Sequence, residues 1–113
     1  MKGIFAVLLF SSLLVGCTTT PSKMRDTGPD EVHTSFRTPK EIYLCIAPQW
    51  EEYVVVNARE SQKGYSLTGM LGVELKCMAD IDETERGSKT KIYTFKIMEI
   101  GRDPLKAAAA KCQ

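Results

Sequence analysis

The chain has 113 residues, with 15 basic and 14 acidic side chains and a formal net charge of +1. That length allows one small domain, and the near-neutral balance gives no electrostatic steering toward nucleic acid or anionic lipid. No internal repeat and no long block of like charge is present, which excludes a solenoid and a charged binding arm.

Lys2 precedes an apolar run, Ile4 to Phe10 and then Leu13 to Val15, interrupted by Ser11 and Ser12. At about twelve residues the run fits the apolar core of a secretory signal and falls short of the roughly 20 needed to span a bilayer. It ends in Leu14-Val15-Gly16-Cys17. This tetrapeptide resembles the lipobox of bacterial lipoprotein precursors, a likeness confined to the first 17 residues. The resemblance implies a lipid on the Cys17 sulfur, cleavage before Cys17 and acylation of the new amine. More than one acyl chain holds durably where a single chain holds only marginally. Thr18, rather than an aspartate, follows Cys17. By the same resemblance the mature protein is expected on the outer membrane, lipid-anchored and facing the periplasm.

Residues 17–38 are rich in Thr, Ser, Pro, Gly and mixed charge, with no apolar period. Such a segment cannot bury enough surface to offset its ordering entropy, so a flexible tether is expected. As a random coil it spans about 25 Å. Val32, His33 and Phe36 near its end have enough β character for a short edge strand.

The domain is expected over residues 39–113. Thr38 before Pro39 is a favoured helix start, and Glu41 completes a capping-box pattern. Ile42, Cys45, Ile46, Gln49, Trp50 and Tyr53 recur at helical spacing, so a helix is predicted over 39–52, bent or restarted at Pro48. Tyr53 to Arg59 and Tyr65 to Met70 read as a hairpin, with a turn or bulge around Gly69 and Gly72. From Leu71 the alternation puts Leu71, Val73, Leu75, Cys77, Ala79 and Ile81 on the core side. Glu74, Lys76, Met78, Asp80 and Asp82 fall on the other. A loop over 82–89 leads to a last strand, Thr90 to Ile100. Tyr93, Phe95 and Ile97 share one face of it; Ile92, Thr94, Lys96 and Met98 share the outer one. Asp103 and Pro104 start a second helix, with Leu105, Ala108, Ala109 and Cys112 on one side. The order is α-β-β-β-β-α. The expected fold is α+β, a two-layer sandwich whose four-stranded antiparallel sheet is covered on one face by both helices.

Four cysteines less Cys17 leave three, which is one disulfide and one free thiol in an oxidising compartment. Cys45 and Cys112 lie on the apolar faces of the two helices and are the expected pair; Cys77 is the rival partner for Cys45, or else a small buried hydrophobe. No CxxC spacing occurs and the one histidine, His33, lies in the tether, so no metal site and no cofactor is expected. No catalytic residues are assigned. A carboxylate pair could come from Glu51, Glu52, Asp80, Asp82 or Glu99, but Glu51-Glu52 at a helix end and Asp82-Glu83 in a hairpin loop read as exposed charge, and Trp50 as core. Two functions fit. One is a non-catalytic envelope module that docks a protein partner through Met78, Ile92, Thr94 and Met98 on the outer sheet face. The other is a small binding module for an apolar or envelope-derived ligand.

Overall fold

A computed structural model of the chain describes residues 20–94 and 103–113. Along the chain come α1 (Pro21–Asp26), β1 (Glu31–Ser35), α2 (Pro39–Trp50), β2 (Val55–Glu60), β3 (Gly64–Leu71), β4 (Glu74–Thr84), β5 (Gly87–Thr94) and α3 (Pro104–Lys111). The five strands form one antiparallel sheet in the order β1-β5-β4-β3-β2. The α+β class and the helix-covered sheet match the sequence reading, but the sheet has five strands rather than four.

The fifth strand, β1, is the short edge strand allowed for near Val32 and His33, without Phe36, and α1 is a further element from the segment read as a tether. Thr20 caps α1 and Pro21 takes its first position. A six-residue helix is too short to stand alone. It is held by Met24, which is buried against Leu75, Met78 and Tyr93, and by Arg25, which is bonded to Asp80. Gly28, at φ +84°, turns the chain out of α1. β1 then pairs with β5, Val32 opposite Lys91 and His33 opposite Thr90. The described fold therefore includes residues 21–35, ahead of residue 39.

α2 starts on the expected capping box: the Glu41 amide donates to Thr38 Oγ1 at 3.2 Å and the Thr38 amide to the Glu41 carboxylate at 3.4 Å. The helix runs through Pro48 without restarting. Pro48 and Leu44 are both exposed, and Leu44 carries the carbonyl that loses its donor, so the gap opens where water can fill it. α2 takes the chain from β1 at one edge of the sheet to β2 at the other. Ile42, Ile46 and Trp50, one helical turn apart, are fully buried on Leu67, Ala79, Ile81 and Ile92. Tyr53, expected on that same stripe, lies beyond the helix end and is exposed.

Two further expectations are corrected by the strand register. Met70 pairs with Leu75 while Gly69 pairs with Cys77, so Lys76 is an extra residue in β4. This bulge reverses the alternation, and Leu75 joins Met78 on the outer side while Cys77, Ala79 and Ile81 stay inside. In β5, Ile92 lies opposite Ala79 and Tyr93 opposite Met78. Ile92 therefore faces the helices and Tyr93 faces outward, the reverse of the sequence reading. Residues 95–100, including Phe95, Ile97 and Met98, lie outside the described residues. The hairpins are tighter than expected: Gly72, at φ +62°, and Val73 link β3 to β4, and Glu85-Arg86 links β4 to β5.

α3 begins as read, with Asp103 accepting from the Leu105 amide at 2.8 Å and Pro104 behind it. Ala108, Ala109 and Cys112 are buried against the main core. Trp50 Nε1 donates to the Leu105 carbonyl at 3.0 Å and ties α2 to α3.

Candidate functional site

The outer face of the sheet takes its character from every second residue. Cross-strand pairs align Asn57 with Thr68, Arg59 with Ser66, Ser66 with Asp80, and Asp80 with Lys91. One end of this face is apolar and is roofed by α1 through Met24. The rest is a polar groove of about 410 Å³ lined by Arg25, Asn57, Arg59, Ser66, Thr68 and Asp82 among others.

One wall of the groove is a charge-assisted network. Arg25 Nε donates to Asp80 Oδ2 at 2.9 Å and Arg25 Nη2 to Asp80 Oδ1 at 2.8 Å, a bidentate pair. Ser66 Oγ accepts from Arg25 Nη2 at 3.1 Å and lies 2.9 Å from Asp80 Oδ1, to which it donates. Burial pushes the Asp80 carboxyl up, but the bonds from Arg25 and Ser66 and the nearby charges of Arg25 and Lys91 outweigh it. They hold the carboxyl below the usual carboxylate range. The bond to Asp80 raises Arg25 despite the opposing effect of burial. Burial first, and then the Asp80 charge, raises the Tyr93 phenol. The two anchor charges cancel. Asn57 and Arg59 lie exposed along the β2 side, and Asp82 is half-buried on β4. The surface offers hydrogen-bond donors and acceptors of mixed charge.

The residues read from the sequence as an interaction surface do not form one. Met78 and Ile92 are both fully buried, on opposite sides of the sheet. Thr94 is half-buried; its amide and hydroxyl both donate to the Asp30 carboxylate, at 2.9 and 2.7 Å. Met98 lies outside the described residues. The alternation that placed Ile92 and Met78 together ignored the register between β4 and β5.

Cys45 and Cys112 are disulfide-bonded, with Cα atoms 5.7 Å apart and a sequence separation of 67. Gln49 lies alongside, its Nε2 donating to the Cys45 carbonyl at 3.1 Å. Cys77 is free and buried. Desolvation, together with the charge of Asp103, pushes its thiol up to about 12, so it is an inert hydrophobe rather than a nucleophile. His33 is not in a tether but on β1, 3.0 Å from the Glu31 carboxylate. Cys17 lies outside the described residues. The volume between α2 and the sheet, where a ligand-binding module would keep its cavity, is filled by Ile46, Trp50, Leu67 and Ile92.

Arg25, Asn57 and Arg59 were missed as site residues. Asn57 and Arg59 were legible as the polar alternates of β2. Arg25 was not, because its partner Asp80 is 55 residues away. Searches against protein-family models, curated proteins and solved structures find no match to this chain.

Proposed function

We propose that the chain is a lipid-anchored envelope lipoprotein whose domain is a non-catalytic protein-interaction module on the periplasmic side of the outer membrane. The observation that carries this reading is Leu14-Val15-Gly16-Cys17 at the end of a short apolar run, immediately before an ordered domain. A disulfide that joins the two core helices supports an oxidising compartment.

The fold changes the geometry of anchoring. Only Thr18, Thr19 and Thr20 separate Cys17 from Pro21 of α1. At 3.3–3.6 Å per residue, the four steps from Cys17 to Pro21 reach at most about 14 Å, not the 25 Å of a long tether. An acylated Cys17 holds the domain against the headgroups, with α1 nearest the lipid. The groove beside α1 is then presented close to the membrane plane, to a partner that is itself in or on the membrane.

The test is intact-mass analysis of the protein extracted from membranes in mild detergent, with and without reductant. The expected species starts at Cys17, carries added acyl mass and is two hydrogens lighter before reduction. An unacylated chain, or one that still begins at Met1, overturns the anchoring. For the interaction role, in-membrane cross-linking of the native protein is compared with an Arg59→Glu variant. Loss of a cross-linked neighbour in the variant is the expected result.

A further inference from the structure

We infer that β2 is the contact edge of a symmetric dimer, in which the partner strand is β2 of a second copy of this chain. β2 is a terminal strand of the sheet, and all its residues except Val56 are exposed. Its charges, Arg59 and Glu60, lie at one end, and the strand has no proline, no lysine and no bulge against β3 to turn a partner strand away.

The backbone pattern says which residues face outward. The Ser61 amide donates to the Gly64 carbonyl at 2.8 Å and the Gly64 amide to the Ser61 carbonyl at 3.4 Å. Ser61 is therefore directed at β3, and alternation directs Arg59, Asn57 and Val55 there as well. The amides and carbonyls of Val56, Ala58 and Glu60 point away from the sheet.

A second copy related by a two-fold axis normal to the sheet continues both faces, so only residues of matching direction oppose each other. With the axis at Ala58, Val56 lies opposite the second copy's Glu60 and Ala58 opposite itself. All the outward groups of both strands are used, in about six hydrogen bonds. On the groove face, Asn57 then lies opposite Arg59, an amide carbonyl against a guanidinium, at both ends of the pairing. Moving the axis to Arg59 sets two guanidinium groups against each other. Moving it to Asn57 leaves Glu60 without an outward partner. The edge is thus self-complementary in one register, and the smallest side chain of that stretch sits on the axis. In this dimer the two polar grooves join across the axis into one continuous surface. Pairing through one six-residue edge places the contact in the small, weak class of interfaces.

The experiment is sedimentation velocity of the full-length chain in mild detergent over a range of concentrations, with three variants. The native chain is expected to dimerise reversibly. Asn57→Lys sets a lysine against Arg59 at both ends and is expected to raise the dimer dissociation constant about tenfold. N57K/R59E sets lysine against glutamate and is expected to restore it. Ala58→Pro removes an outward amide that β3 does not use and is expected to abolish the dimer while the far-ultraviolet circular dichroism is retained. A native chain that stays monomeric up to about 1 mM, a range in which even the weak complexes of this class form, overturns the inference. A dimer indifferent to Asn57→Lys and Ala58→Pro is joined elsewhere and overturns it equally, as does N57K/R59E failing to recover what Asn57→Lys loses.

Discussion

Ile92 and Met78 are both fully buried, yet they lie on opposite faces of the sheet in surroundings of different kinds. Ile92 sits in a core closed by α2 and α3, which the Cys45–Cys112 disulfide and the Trp50–Leu105 hydrogen bond fasten together. Met78 sits in a cluster of Met24, Leu75 and Tyr93, roofed by a six-residue helix and bordered by charged side chains. The difference shows a division of labour. The inner face is closed by two cross-linked helices, while the outer face keeps a small apolar cluster beside an open polar groove.

The largest test removes the brace on the inner face. Replacing both Cys45 and Cys112 by Ala opens a cross-link that spans 67 residues and is expected to lower stability by about 4 kcal/mol in the loop-entropy account. A domain of this class has roughly 5–15 kcal/mol in total, so the variant is expected to be marginal at room temperature. Denaturant midpoints followed by circular dichroism, with the slope checked for constancy, measure it. An unchanged midpoint would mean that helix packing alone secures the inner face.

Next come matched truncations on the two sides. Ile92→Ala is expected to cost about 4 kcal/mol, near the upper end for a buried aliphatic residue, because a core walled by two cross-linked helices cannot collapse into the space. Met78→Ala is expected to cost about 2 kcal/mol, because α1 is short and Met24 and Met70 can shift to refill the site. Equal costs in a urea titration would deny that the outer cluster is the looser of the two.

How much of this could be read in advance divides along the same line. The inner face was largely legible. The 3.6-residue spacing of Ile42, Ile46 and Trp50, the capping box at Thr38 and the Asp103-Pro104 start are local signals, and Cys45–Cys112, though distant in sequence, followed from the apolar helix faces that carry the two cysteines. The outer face was not, because its organisation is non-local. Nothing next to Lys76 announces a bulge; only the pairing of Met70 with Leu75 and Gly69 with Cys77 reveals it. Ile92 and Tyr93 are both large and both buried, so alternation could not choose between them, and register with Ala79 and Met78 did. α1 was the avoidable miss. Thr20-Pro21 is the same cap-then-proline start as Thr38-Pro39 and Asp103-Pro104. It was overlooked because six residues show no helical period and the surrounding composition resembles a linker.

The smallest effect concerns the bond that fastens α1 to the outer face. Asp80 has a carboxyl held below its ordinary value, chiefly by hydrogen bonds from Arg25 and Ser66 working against burial. A group depressed on folding stabilises the folded state fully above its unfolded value, about 3.9, and loses that contribution as pH falls through the lower folded value. The guanidinium of Arg25 stays protonated throughout and so adds no dependence of its own. Its side chain is 43% exposed, so solvent screens the pair and the contribution is modest. Asp80→Asn is expected to cost about 1 kcal/mol at pH 7, and the gap from the native chain is expected to narrow steadily below about pH 4. Proteolysis should report the same loss locally, with cleavage after Lys23 or Arg25 appearing before the rest of the domain opens. A gap that stays constant from pH 7 to pH 3 would mean that α1 is held by Met24 alone. The outer face would then differ from the inner one in size only, not in the kind of interaction that closes it.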